Sequence, residues 1–211
     1  MKTIIIIPSR MASSRFPNKP MVLIDGIPMI QRVWQQAIKS NMGKVVVACC
    51  ENQVFDLISS LGGEVIMTPP ELASGTDRIY QVIQNHPERK QFESIINLQG
   101  DMPIIDPNDI KKVNIPLSQG FDIGTLVTNL SSEEESNINI TKANIKWITK
   151  NYIGEAIAFY KLSKKKLTNI YHHVGIYSFR YESLKKFVLL GTSSNERYYK
   201  LEQWRALDEK M

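Results

Sequence analysis

The segment from Pro8 to Pro20 carries Arg10, Arg15 and Lys19 among Ser9, Ser13 and Ser14, with Pro8, Pro17 and Pro20 stiffening the backbone. Guanidinium forks, an ammonium and the N–H groups of a turn are the donors that phosphate oxygens accept from, so this segment fits an anionic-ligand loop. A basic surface loop fits the same residues. Its spacing is neither Gly-x-x-x-x-Gly-Lys nor Gly-x-Gly-x-x-Gly, so it belongs to neither of those phosphate-binding patterns. A second segment, Ala73-Ser74-Gly75-Thr76-Asp77-Arg78, opens a helical pattern. Its small residues let a base or ribose approach the backbone, and a helix N-terminus favours negative charge, although Ser74 or Thr76 serves equally as a plain N-cap. Asp101, between Gly100 and Met102-Pro103, stands where a carboxylate could hold a cation against bound phosphates or simply cap a turn.

Four further side chains are candidates for a polyhydroxylated ligand. His172 and His173 precede Val174-Gly175-Ile176-Tyr177 in a strand-like run, which places one ring on each face. Glu202 and Gln203, on what reads as the last helix, offer an acceptor and an amide. No nucleophile elbow or Cys–His arrangement argues for covalent catalysis, and neither histidine has a partner at metal-ligand spacing.

These residues need a scaffold that brings distant loops together. The run over 2–7 is apolar, β-branched and stopped by Pro8, which predicts a strand buried on both faces. The periodicity then predicts a helix over 28–41, a strand over 44–48, a helix over 53–61 ended by Gly62-Gly63, and a strand over 64–67. A helix over 76–85 and a buried strand over 94–98 follow. This alternation calls for a parallel sheet with helices on both faces, and ligands bind beyond the carboxyl ends of such strands. The loops after Ile7 and Leu98 both lie at such ends. Beyond a helix over 107–117, strands over 122–128, 143–149, 155–160 and 173–179 suggest an antiparallel extension, closed by helices over 182–190 and 195–210. The expected fold is α/β, a mixed, mainly parallel doubly wound Rossmann-like sheet in one domain over 1–211. Within it, a first part over about 1–120 is distinguished from a second over about 121–211.

Composition limits the alternatives. With 211 residues, 43% of them hydrophobic and 22% charged, the chain is long enough for a sizeable core and is neither disordered nor repetitive. The apolar run Ile4 to Ile7 is too short for a signal sequence, and no stretch approaches the roughly 18 apolar residues a membrane span needs. A cytoplasmic protein without membrane insertion is expected. Cys49 and Cys50 are adjacent and cannot close a loop, so buried free thiols are expected. The net charge of +5 comes without an RNP pattern or zinc-knuckle spacing, which argues against nucleic acid, and Lys164-Lys165-Lys166 reads as a solvated loop.

Taken together, Pro8-Ser9-Arg10 through Lys19-Pro20, Ala73 through Arg78, Asn97-Leu98-Gln99-Gly100-Asp101-Met102-Pro103, His173 through Arg180 and Leu201-Glu202-Gln203-Trp204-Arg205 resemble the 3-deoxy-manno-octulosonate (Kdo) cytidylyltransferases. The blocks run in order from residue 4 to the C-terminus, and the first is shared more widely among sugar nucleotidyltransferases. The resemblance implies a nucleotidyltransferase-type fold, commonly a homodimer. It implies transfer of a cytidylyl group from CTP to Kdo, giving CMP-Kdo and pyrophosphate for lipopolysaccharide synthesis. It assigns Arg10, Arg15 and Lys19 to the triphosphate, Ser74, Gly75, Arg78 and Gln99 to the nucleotide, and Asp101 to Mg²⁺. Gln99, His173, Tyr177, Glu202, Gln203 and Lys161 fall to the sugar acid. Arg10, Lys19 and Asp101 would carry the catalysis.

The sequence also departs from the family. Met102 stands where the family has Glu, Phe159-Tyr160-Lys161 where it has Phe-Ser-Arg, and Cys49-Cys50 where Thr-Asp is common. Its Pro-Asn-x-Val-Lys block matches Lys142-Ala143-Asn144-Ile145-Lys146 only loosely. Family chains continue beyond the Leu-Glu-Gln block into a strand and an Asp-Thr-Pro segment whose Asp resembles a second metal ligand. This sequence stops at Met211, so weaker catalysis and an uncovered apolar edge are expected. Two alternatives follow from the same residues: a nucleotide-binding relative with little or no turnover, and a cytidylyltransferase for another sugar acid such as a sialic acid.

Overall fold

A computed structural model describes residues 1–11, 16–162 and 168–211; Ser13, Ser14, Arg15 and the lysine run 164–166 lie outside the described residues. The molecule is built on a mixed sheet in the order β5-β4-β1-β6-β10-β8-β9, with β7 pairing β10 on its other side. Strands β1 (Thr3–Pro8), β4 (Gly43–Cys49), β5 (Glu64–Met67) and β6 (Ser94–Asn97) are mutually parallel. All six residues of β1 are buried, as expected of a strand covered on both faces. On one face Ile5, Ile7, Val45 and Val47 pack with Ile30, Val33 and Ala37 of α1 (Met29–Lys39) and with Val54 and Ile58 of α2 (Asn52–Ser60). On the other face Ile4, Ile6 and Val46 meet Ile79, Val82 and Ile83 of α3 (Gly75–Asn85) and Leu184 and Phe187 of α7 (Tyr181–Leu189). The predicted doubly wound arrangement is therefore present.

The antiparallel extension consists of β7 (Ile123–Thr128), β8 (Lys142–Thr149), β9 (Ile153–Tyr160) and β10 (Ile170–Phe179). Strand β10 changes partner along its length. Its first residues pair Asn144 to Lys142 of β8, and its last pair Asn97 to Ile95 of β6. Between them the register against β7 slips, because Gly175 and Ile176 bulge between Val174 and Tyr177. The end of β6 and the start of β8 thus leave a gap beside β10.

Two expected helices divide, and two short elements appear that the sequence analysis does not anticipate. The helix expected over 107–117 is two, α4 (Pro107–Lys112) and α5 (Ile115–Ser118). Asn114 interrupts them, its side chain drawn inward by Ser94 Oγ at 2.7 Å and donating to Thr3 Oγ1. The helix expected over 195–210 also splits, into α8 (Ser194–Tyr199) and α9 (Trp204–Asp208). Lys200 takes a left-handed conformation at φ 55°, which ends α8 and lets Leu201 turn into the core beside Phe159. Glu202 and Gln203 consequently sit in the turn before α9 and not on a helix. The connection over 129–141 carries a short helix, α6 (Ser132–Glu135), with Ser131 and Glu134 forming a capping box. Lastly, Asp25-Gly26 forms the turn of a small hairpin, β2 (Leu23–Ile24) and β3 (Ile27–Pro28), which the sequence reading passed over.

Cys49 is fully buried and Cys50 only partly so, and both are free thiols. Burial pushes the Cys49 thiol up to about 11, so it is protonated and inert at neutral pH. A groove of about 1040 Å³ opens between β7, the β8–β9 hairpin and α9, lined by Phe121, Leu126, Trp147, Phe159, Leu207 and Met211 among others. No helix among the described residues is long and apolar enough to cross a membrane.

Candidate functional site

The site lies at the carboxyl ends of β1 and β6. Beyond β1 the chain leaves through Ser9 and the exposed Arg10, and Met11 N donates to Glu51 Oε1 at 2.8 Å. Asn18, left-handed at φ 58°, turns it back with its N–H on Met11 O, and Lys19 begins a short 3₁₀ turn. Lys19 Nζ then reaches Asp101 Oδ2 at 2.5 Å, across the gap between the two strand ends. The two side chains are 35% and 49% exposed, so this pair is open to a ligand. Gly100 makes the approach possible, because a Cβ there would stand 2.8 Å from Pro8 O.

Ser74 caps α3. Its Oγ receives Asp77 N at 3.1 Å while Asp77 Oδ2 receives Ser74 N, a capping box, so the N-cap reading is correct for this residue. Gly75 lies against Pro8 and Gln99: a Cβ there would come 3.2 Å from Pro8 Cγ and 3.6 Å from Gln99 Oε1. Arg78 is 2% exposed and holds the turn after β5, donating from Nη1 to Thr68 Oγ1 and Pro69 O, while Nη2 is buried without a hydrogen-bond partner. It therefore braces the turn after β5 and does not stand at the surface of the site.

The gap beside β10 is a cavity of about 370 Å³ lined by Gln99, Asn139, Ile140, Thr141, His172, His173, Gly175, Tyr177, Leu201, Glu202 and Gln203. Five of the six residues singled out for the sugar acid thus meet there; Lys161, at the end of β9, is not among the lining residues. Both histidines border the cavity, although they precede the bulge and alternate regularly along β10. Sequence reasoning missed Thr76, Thr125 and the 139–141 wall. Thr76 was visible inside the quoted block, whereas Thr125 and the wall arrive through long-range pairing that no local pattern encodes.

The polar groups in the cavity are under unusual constraints. His173 is 6% exposed, edge-on to Phe159 at 4.9 Å between ring centres, with Nε2 2.9 Å from Thr125 Oγ1. The Thr125 hydroxyl donates to Ile176 O at 2.8 Å, so it accepts from His173 Nε2–H, and Nδ1 is left as the ring's acceptor. Burial pushes the imidazole down from 6.5 to about 3, with His172 adding to the effect. The ring is neutral at physiological pH. Protons bind the unfolded chain first, so the stability this ring contributes is complete above about pH 6.5 and is lost as pH falls towards 3. In NMR titration the His173 Cε1 proton is expected to stay fixed between about pH 8 and 5; a midpoint near the ordinary histidine value would contradict the buried, neutral ring.

Glu202 Oε2 accepts from Thr76 Oγ1 at 2.9 Å, tying the α3 N-terminus to the α8–α9 turn. Its Oε1 is buried with no hydrogen-bond partner, and burial raises the carboxyl above its ordinary value. An unpaired buried acceptor on a polar cavity is where a ligand hydroxyl gains most. Burial raises the Tyr177 phenol as well, so it stays a donor. A cation would find one hard carboxylate oxygen pair at Asp101, and no cluster of three or more His, Cys, Asp or Glu suited to a metal occurs among the described residues. That donor set fits Mg²⁺ shared with phosphates, which commonly needs only one or two carboxylates.

A family model described as cytidylyltransferase matches residues 4–211. The protein named 3-deoxy-manno-octulosonate cytidylyltransferase from Paramagnetospirillum magneticum is 40% identical over 99% of this chain and 86% of its own length. The chain belongs to the 3-deoxy-manno-octulosonate cytidylyltransferase family. The family member of that name from Parvibaculum lavamentivorans is 38% identical over 99% of this chain and 81% of its own. A solved CMP:2-keto-3-deoxy-manno-octonic acid synthetase complexed with CTP superposes with a TM-score of 0.87 at 31% identity, over 100% of this chain and 87% of that one. A nucleotidyl transferase from Methanothermobacter thermautotroptrophicus, 11% identical with a TM-score of 0.61, shares the fold. This family member is thus an α/β nucleotidyltransferase, as its sequence implies.

Proposed function

We propose that this chain transfers the cytidylyl group of CTP to the anomeric hydroxyl of Kdo, forming CMP-Kdo and releasing pyrophosphate. The observation that carries this reading is the cavity beside β10, whose wall residue Gln99 is separated by Gly100 alone from Asp101 and its Lys19 partner. A sugar acid in the cavity and a triphosphate on the cations would then meet at that turn. Glu202 Oε1 and His173 Nδ1 would accept from sugar hydroxyls, and the Tyr177 phenol, Gln203 and Gln99 would donate. Gln99 is held for this by Nε2 on Asn97 Oδ1 at 3.0 Å.

The sugar oxygen attacks the α-phosphorus in line, and the bond to the β-bridging oxygen breaks as pyrophosphate leaves. The hydroxyl proton passes to solvent. No protein nucleophile is needed; position and positive charge do the work. Lys19 and Arg10, with Arg15, would neutralise the leaving pyrophosphate. Asp101 would hold Mg²⁺, which supplies Lewis-acid neutralisation of the phosphates when bound. Arg78 and the α3 N-terminus at Ser74 and Gly75 would shape the nucleotide side, and Lys161 would stand at the outer rim of the sugar side.

We place the reaction in the cytoplasm, where CTP is available, and expect two copies to pair through the β8–β9 hairpin. The exposed Ile148, Tyr152 and Ile157 on that hairpin support the pairing. The reading is tested by pyrophosphate release with Mg²⁺ and CTP, comparing Kdo with N-acetylneuraminate. Release with Kdo alone is expected; release with the sialic acid alone would transfer the assignment to that substrate.

A further inference from the structure

Lys142 is 2% exposed, yet no carboxylate contacts its ammonium among the described residues. Nζ donates instead to two main-chain carbonyls, Asn137 O at 2.6 Å and Lys161 O at 2.8 Å. A buried ammonium is costly unless its donors are satisfied, so this arrangement is held for what it joins. Asn137 is the hub of the connection between β7 and β8: its carbonyl also receives Ile140 N, and its Oδ1 receives Asn139 N at 2.9 Å. The connection is pinned a second time where Glu134 Oε1 meets His172 Nδ1 at 2.9 Å, and a third where His173 N donates to Thr141 O. Asn139, Ile140 and Thr141 form one wall of the 370 Å³ cavity.

We propose that Lys142 and the Glu134–His172 pair are positioning residues for the sugar acid, clamping the 131–141 strap as a wall of its cavity and fixing that wall to the main chain at Lys161. The inference rests on the reading of the cavity as the Kdo site. It is independent of the nucleotide side, because none of Lys142, Glu134 and His172 touches Lys19, Asp101 or the α3 N-terminus. Lys142 acts as a two-ended tie because a single tetrahedral ammonium can serve carbonyls on both sides of a gap, which a methionine of similar length cannot. Glu134 works from the solvent side, its other oxygen capping Ser131 N at 2.9 Å, so its replacement leaves the core intact.

The test is steady-state kinetics of wild type, Glu134→Gln and Lys142→Met with CTP and Kdo varied separately, alongside thermal melting. A wall misplaced by a fraction of an ångström is expected to raise KM for Kdo roughly tenfold in each variant, with KM for CTP and kcat changed less than about twofold. Unchanged KM for Kdo in Glu134→Gln would overturn the proposal, as would parallel loss of affinity for both substrates with a lowered melting temperature. Should Lys142→Met fail to fold, Glu134→Gln decides alone. Wild type serves as the control for the underlying reading: no turnover of Kdo by wild type refutes the site assignment, whereas normal wild-type turnover with unaltered variants refutes only the clamp.

Discussion

Replacing Lys19 by Met, or Asp101 by Ala, is expected to lower kcat about a thousandfold while leaving the melting temperature nearly unchanged. The two side chains meet at 2.5 Å across the ends of β1 and β6 and are 35% and 49% exposed. Ion pairs this open to solvent contribute little to folding, so their loss is not a stability effect. Their value lies in where they stand. Gly100 brings the Asp101 turn against Pro8 O, and Asn18 returns the basic loop to the same place, so a cation and a carboxylate converge where a triphosphate would lie. Charge that develops on a leaving pyrophosphate is stabilised only by groups already in position. The double variant is expected to lose little more than either single one, because each orients the other. Single variants retaining more than about a tenth of wild-type kcat would place the phosphate chemistry elsewhere.

The second large effect is on stability. Arg205 is 9% exposed and makes a two-pronged contact with Glu196, Nε to Oε2 at 2.9 Å and Nη2 to Oε1 at 2.7 Å. Its guanidinium also lies 4.9 Å from the Phe187 ring centre. The hydrogen bonds it donates to Glu196 dominate and hold the guanidinium above its already high ordinary value, so it is charged at every accessible pH. Arg205→Met would leave the Glu196 side chain, only 12% exposed, without this partner, and removal of one partner from such a pair costs about 3 kcal/mol. Lysine keeps the charge but not the fork and is expected to recover less than half. Urea unfolding should show a lowered midpoint with unchanged slope; an unchanged midpoint would contradict the account. The pair joins α8 to α9 across the turn that carries Glu202 and Gln203, so the same variant is expected to weaken sugar binding.

The parallel core was legible because its strands are β-branched runs bounded by Pro or Gly, and both faces of such a sheet are dry. Ile4 to Ile7, Val45 to Val47 and Ile95 to Ile96 could hardly be anything else. The Asp25-Gly26 hairpin was equally legible from its turn dipeptide, with φ values of 48° and 75°, and was missed for want of flanking length. The breaks at Asn114 and Lys200 were not legible. Asn114 is held by Ser94 and Thr3, and Leu201 is pulled into a core formed by β8 and β9, both consequences of tertiary packing.

The site divides in the same way. Lys19, Asp101, His173, Glu202 and Gln203 stand out by residue type, whereas Gln99 and Tyr177 are named only through the family resemblance, and the fold brings all seven to one region. Ser74 shows the limit of such reading, since its hydroxyl is engaged in a capping box with Asp77. The orientation of the His173 ring depends on Thr125, 48 residues away in sequence, and the strap depends on Lys142 reaching across to Lys161. Local sequence carries no record of either.

The central claim is tested most directly by following CTP labelled at the α-phosphorus. Incubated with Kdo and Mg²⁺, the protein is expected to move the label into a CMP-Kdo ester at a rate that disappears in Asp101→Ala. Tight CTP binding with the label remaining in CTP, under conditions where the protein is folded and Kdo is saturating, would contradict it.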